Sequence, residues 1–228
     1  MQIAKTIQAP ELSRLKFLCH GFGNRFFDLK RLKTRSRGFN HVFLRQIHSD
    51  MIIRVETVPD KPPAGDACIT PVPGLMLLVQ TADCLPVLLV DPVRRVIGAA
   101  HCGWKGTALG LAAKLAGRME DEFGSRKENL MAALGPCIGA RCYQVGEEVR
   151  EAFQANGQEE SGFASAGDTL FLDLKKANRD QLVNTGVKCI FSLEGCTFSQ
   201  PDMYSYRRNG SSSGRMLSFI GMRERGID

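Results

Sequence analysis

The sequence predicts a single α+β domain, and three observations carry that reading. Two apolar runs, residues 85–90 and 96–100, flank the turn Asp91-Pro92, which is the pattern of adjacent buried strands with a tight connection. Beyond Gly106 the apolar period changes. Ala108, Leu111, Ala112, Leu115, Met119 and Phe123 recur at threes and fours, marking an amphipathic helix closed by Gly124. Finally, 228 residues that are 43% hydrophobic suffice for one sizeable core, and no fixed-period repeat or linker divides residues 1–228.

The elements follow in order. Residues 20–25, HGFGNR, read as a glycine-punctuated loop, and 26–38 as a short helix giving way to a basic loop. Residues 41–48 form a strand that Ser49-Asp50 interrupts, and 51–56 continue it, so His48 sits at the break. A loop over 59–65 leads to a short strand at 66–70, a turn at 71–74 and a buried strand at 75–80. After the helix, 129–134 is a buried strand that runs into the sharply turning Gly135-Pro136-Cys137-Ile138-Gly139. Residues 145–156 predict a helix closed by Gly157, and 158–169 a polar, mobile loop. Asp173 is the expected N-cap of a helix over 174–185 that Gly186 ends. Residues 189–193 and 216–222 are late strands. The segment between them, 201–214, carries Tyr204, Tyr206, Arg207 and Arg208 before a serine-glycine turn.

Composition narrows the function classes. No apolar run approaches the roughly 20 residues of a membrane helix, and the first residues lack the apolar segment of an export signal, so a cytoplasmic protein is expected. Reduced thiols are then the default for the eight cysteines. Cys68 and Cys189 lie in apolar runs and read as core, and Cys137 and Cys142 lack the second pair that a zinc knuckle needs. The net charge of +6 gathers at 30–37, Arg94-Arg95 and Arg207-Arg208. With no nucleic-acid motif and 7% aromatic residues, that charge reads as a solvated face or a site for a small anion rather than a nucleic-acid surface.

Chemistry crowds the outer ends of the two central strands. Thr81, Asp83 and Cys84 precede the first, and His101, Cys102, Trp104 and Lys105 follow the second. Antiparallel pairing makes Cys84 and His101 neighbours, while strand alternation turns Cys102 away from His101. With His48 added, the residues leave three readings. One is a zinc site of two imidazoles and a thiolate with its fourth position open. Another is a metal-free pair, Cys84 or Cys102 as nucleophile and His101 as base. The last is plain structural placement. With four His in the chain, two of them at strand ends beside cysteines, zinc comes first. The helix that follows Lys105 is placed to offer backbone N–H groups to an anion.

The segments HGFGNR, LRQIHSD, GDACIT, QTADCLPVLLVDP, AAHCGWKGT, GPCIGARCYQVGEEV, LDLKKANRDQL and YSYRRNGSSSGRM, in this order, resemble the YfiH/laccase-domain family, also named for purine nucleoside phosphorylase and peptidoglycan editing. The likeness spans nearly the whole chain, although residues 26–40 are shortened relative to the family pattern. It implies a layered α/β/β/α sandwich with mixed sheets, Zn2+ on His48, Cys84 and His101, and phosphorolysis of adenosine, inosine, guanosine or methylthioadenosine with adenosine deamination. Purine nucleoside and phosphate are then the small-molecule partners. Arg25 in HGFGNR is the first expected phosphate clamp, with Lys105 and Arg208 behind it. Asp83 is expected to orient a ligand or shuttle a proton, and Trp104 to stack on the base. A Cys–His hydrolase acting on a peptidoglycan precursor and a non-enzymatic nucleoside-binding domain are the alternatives. The family's older naming as a copper polyphenol oxidase meets a physical limit. A multicopper cluster consumes more imidazoles than the four His present, which leaves copper as an adventitious occupant of a zinc site.

Overall fold

The structure, a computed structural model, describes residues 3–158 and 162–224. The first strands in chain order are β1 (Thr6–Ile7), β2 (Leu18–Gly23), β3 (Asn40–Val42), β4 (Ile52–Arg54), β5 (Ala67–Thr70), β6 (Leu75–Thr81) and β7 (Leu85–Asp91). They are followed by β8 (Val96–Cys102), β9 (Met131–Leu134), β10 (Gln144–Val145), β11 (Phe163–Ala166), β12 (Thr169–Leu172), β13 (Cys189–Ser192) and β14 (Met216–Met222). The helices are α1 (Leu29–Arg35), α2 (Trp104–Ala108), α3 (Leu111–Phe123), α4 (Glu147–Ala155), α5 (Leu174–Asn184) and α6 (Tyr206–Asn209).

Two mixed sheets dominate. The first runs β1-β2-β14-β6-β3 and the second β13-β9-β7-β8-β5-β4, while β10-β12-β11 forms a small separate sheet. Period-2 alternation sorts their side chains into layers. Leu75, Leu77 and Val79 of β6 meet Leu88 and Val90 of β7 and Ile97 and Ala99 of β8 in the core between the sheets. The opposite face of the second sheet, with Val87, Leu89, Ala100 and Cys102, packs on Leu111, Leu115 and Met119 of α3 and on Leu174, Ala177 and Leu182 of α5. On the outer face of the first sheet, Met76, Leu78 and Phe219 cover Leu32 of α1. The result is the layered α/β/β/α arrangement expected. Among the described residues, no helix is long and apolar enough to cross a membrane.

Several elements differ from the sequence reading. Residues 20–25 do not form a loop, because β2 runs through Gly23 with every residue buried. Its glycines serve packing: a Cβ on Gly21 would lie 2.9 Å from the Phe219 ring, and one on Gly23 would lie 2.6 Å from Phe27. The strand at 41–48 ends at Val42, and the 108–123 helix is two helices broken where Gly110 takes φ +73°. The long helix therefore starts seven residues beyond Trp104, and its N-terminal N–H groups are not those that follow His101. Within 158–169, β11 and the start of β12 form a hairpin, while 159–161 lie outside the described residues. Cys189 is exposed rather than core, since β13 is an edge strand.

Candidate metal centre

The β7–β8 hairpin sets the frame of the site. Its register pairs Leu85 with Cys102 and Pro86 with His101, which leaves Cys84 one step beyond, opposite Gly103. That glycine is required by space. A Cβ there would sit 3.0 Å from Cys84 Sγ and 3.2 Å from His48 Cδ2. Cys102 faces the helix-side core and is fully buried, so strand alternation separates it from His101 as anticipated. His48 comes from the β3–β4 connection, where φ is +59°. A non-glycine residue in that region costs about 1–2 kcal/mol, so something must hold it.

Asp66 holds it. This fully buried carboxylate, just before β5, accepts from the backbone N–H of Ile47 (3.2 Å), His48 (3.0 Å) and Ser49 (2.7 Å) and from the Ser49 hydroxyl (2.8 Å). It also bonds His101 Nδ1 at 2.9 Å. One side chain thus fixes both histidines, and tying up Nδ1 leaves Nε2 of His101 as its ligating nitrogen. A second clasp pins the same connection to the other sheet. Gln46 Nε2 donates to Gln80 O and Gln80 N donates to Gln46 Oε1, both at 2.8 Å.

The ligating atoms of His48, Cys84 and His101 lie within 4.8 Å of one another, with the two imidazole rings at a centroid distance of 4.9 Å. Burial acts to raise the Cys84 pKa, but hydrogen bonds from His101 and His48 and their charge overcome it and hold the thiol at about 6. Burial acts to lower His101, and Asp66 and Cys84 outweigh it and carry the imidazole to about 9. Asp66, opposed only by burial, is held well below the usual carboxylate range by His101 and Ser49. A thiolate between two imidazoles, the geometry of a three-ligand site and an exposed His48 on the open side fit a metal ion of zinc type.

The cluster opens into a cavity of about 730 Å³. Its walls include Trp104, Tyr143 and Tyr206 and the guanidinium-bearing Arg45, Arg207 and Arg215. Asp83, with φ +91°, accepts from Thr197 Oγ1 (2.5 Å), Ser205 Oγ (3.0 Å) and the Arg207 N–H (2.7 Å), so it fastens the late segment over the site. Of the expected substrate contacts, Trp104 lines this cavity, whereas Arg25, Lys105 and Arg208 are not among its walls. Arg25 donates to Pro201 O at 3.0 Å and lies over the Tyr204 ring. The Arg208 guanidinium is spent on the carbonyls of Thr197, Phe198, Gln200 and Met203. The exposed Lys105 rests 5.5 Å from the Trp104 ring. Arg207, its neighbour's opposite, lies over Tyr143 and donates to Gln144 O at 2.9 Å. Sequence reasoning passed over Asp66, Arg45, Tyr143 and Arg215. The acidic residue in GDACIT and the arginine of the serine-glycine turn were visible signals, but only tertiary contacts give them a direction.

Comparison with known proteins places the chain in a family. Residues 28–223 match the family described as multi-copper polyphenol oxidoreductase laccase. The chain is 37% identical over 181 residues to a protein named purine nucleoside phosphorylase YfiH in Escherichia coli (strain K12), covering 78% of this chain and 72% of that one. It is 40% identical over 185 residues to one named purine nucleoside phosphorylase in Deinococcus radiodurans, covering 80% and 70%. The crystal structure of the Bacillus licheniformis hypothetical protein YfiH superposes with a TM-score of 0.86 at 28% identity, covering 96% of both chains. The chain belongs to the YfiH/laccase-domain family.

Proposed function

We propose that this protein is a zinc-dependent purine nucleoside phosphorylase with adenosine deaminase activity, acting on adenosine, inosine, guanosine or methylthioadenosine. The observation that carries the reading is the His48–Cys84–His101 cluster opening into a cavity walled by three arginines and three large aromatic side chains. The names of the relatives point the same way. His48, Cys84 and His101 would hold the zinc, which when bound supplies a Lewis acid that polarises an oxygen nucleophile.

The chain's own residues do the rest. Arg45, Arg207 and Arg215 supply planar, permanently charged donors that match phosphate, and Trp104, Tyr143 and Tyr206 offer faces to a purine. Burial, reinforced by the negative charges of Cys84 and Asp83, pushes the Tyr143 pKa up, so its hydroxyl stays a proton donor toward an anion in the cavity. Asp66 keeps the His101 ring from turning, and Asp83 keeps Arg207 at the wall. Arg25 and Arg208 brace the 197–206 segment that carries Tyr206 into place.

Chromatography of released bases, with and without phosphate, tests the proposal. Base release should require phosphate and adenosine deamination should not, and Arg215→Ala should depress phosphorolysis more than deamination. Base release that ignores phosphate would overturn it. A second reading rests on the hydrogen-bonded Cys84–His101 pair, whose thiolate and imidazolium tendencies suit a metal-free hydrolase acting on a peptidoglycan precursor. Stoichiometric zinc in the purified protein favours the first reading. A metal-free protein with a rapidly alkylated Cys84 favours the second.

A further inference from the structure

A second group of thiols lies beyond the donor cluster, where the loop after β9 meets the segment after β13. Cys137 and Cys196 pair across an isolated parallel bridge, and the Gly139 N–H donates to Cys196 Sγ at 3.2 Å. The Cys142 thiol hydrogen-bonds that same sulfur. Accessibility separates the three. Cys137 is enclosed, and burial pushes its thiol up to about 12, whereas Cys142 and Cys196 both keep partial exposure. Burial opposes ionisation of Cys196, but bonds from Ser199, Gly139 and Cys142 outweigh it and hold the thiol below its ordinary range. Cys142, by burial and as the donor of that bond, is held above it.

These sulfurs stand at the roots of two cavity walls. Cys142 closes a 3-10 turn and is followed by Tyr143. Cys196 is followed by Thr197, whose hydroxyl holds Asp83. We propose that Cys142 and Cys196 form a reversible disulfide under hydroperoxide, a modification site that ties these two walls together. The Cys196 sulfur attacks one peroxide oxygen. The O–O bond breaks, an S–O bond forms and the other oxygen leaves as water, giving a sulfenic acid. The Cys142 sulfur then bonds Cys196 as the S–O bond breaks, and a second water leaves with the remaining proton. Two thiols lose two electrons, and one hydrogen peroxide becomes two waters. The site is separate from the zinc donors, and the proposal stands whether or not the nucleoside reading does.

Peptide mapping of the purified full-length protein after hydrogen peroxide treatment tests it. Cys142 and Cys196 should lose their free thiols together, whatever becomes of Cys84, and a non-reducing tryptic digest should contain residues 142–150 joined to 189–207. Dithiothreitol should restore both. The second peptide also holds Cys189, so the joined species should persist in Cys189→Ser and vanish in Cys196→Ser. In Cys142→Ser, Cys196 should stop as a sulfenic acid that dimedone traps. The proposal fails if the unsubstituted protein yields no joined peptide while Cys142 and Cys196 still alkylate. It fails equally if the joined peptide survives Cys196→Ser.

Discussion

His20 and His101 are both buried imidazoles on central strands, 1% and 4% exposed, yet they answer burial in opposite directions. His20, on β2, accepts the Ala9 N–H at Nε2 (3.1 Å), and its Nδ1 has no partner among the described residues. Burial then prevails and lowers its pKa to about 4. His101 faces the same burial, but Asp66 on one nitrogen and Cys84 near the other lift it to about 9. The difference teaches that depth does not make a histidine functional. Neighbouring anions set the direction, and here the Cys84 sulfur and a single carboxylate with five donors separate an imidazole in the candidate donor cluster from one packed in the core.

The largest expected effect is at the thiolate. Cys84→Ala should strip the proposed zinc and abolish both activities, while Cys102→Ala, at the end of the same hairpin but facing the helices, should keep them. Metal analysis of the two purified proteins decides it, and zinc retained by Cys84→Ala but lost from Cys102→Ala would reverse the assignment. The next effect is on stability. The folded pKa of His20 lies below its unfolded value of 6.5, so the unfolded chain takes up a proton that the folded one refuses. The His20 contribution is complete above pH 6.5 and should be lost as the pH falls toward about 4, on the order of 3 kcal/mol in all. Denaturant unfolding between pH 7 and 4 should show that loss, and His20→Gln should flatten it. Equal slopes in both proteins would mean that the contrast with His101 is not electrostatic.

The smallest effect sharpens the contrast from the other side. Asp66→Asn replaces an acceptor-only carboxylate by an amide, one half of which donates, so it cannot receive all five bonds. Zinc affinity should weaken about 10–100-fold, the usual cost of losing an outer partner of a ligating histidine. Competition with a chromophoric chelator would measure it. Unchanged affinity would place the importance of Asp66 in the fold alone.

What the sequence made legible follows from where its signals are periodic. The two continuous apolar runs 85–90 and 96–100, with only a short turn between them, contain the pairing of β7 with β8, and from that pairing the meeting of Cys84 and His101 follows. The 41–48 stretch misled for the opposite reason. Its apolar content suggests a strand, but after Val42 the chain is shaped by Asp66 and Gln80, distant partners that leave no period behind. The glycines of HGFGNR carried the same ambiguity, since a glycine chosen to admit a neighbouring ring looks identical to one chosen for a turn. Arg207 and Arg208 show the limit most plainly. Adjacent and chemically identical, they are told apart by which carbonyls each finds, one at the cavity wall and one bracing the loop.

The position of β14 has a consequence for how the protein is made. It lies between β2 and β6, so the first sheet stays split until the ribosome has added residues 216–222. The donor set needs nothing so late, because His48, Asp66, Gln80, Cys84 and His101 all precede residue 102. Asp83, by contrast, waits for Thr197, Ser205 and Arg207. At about 5–20 residues per second, the two events are separated by on the order of ten seconds of synthesis. The residues of the donor set are therefore synthesised well before the segment that closes the cavity, so a metal that the proposed site takes up would meet its ligands in the growing chain before the pocket is complete.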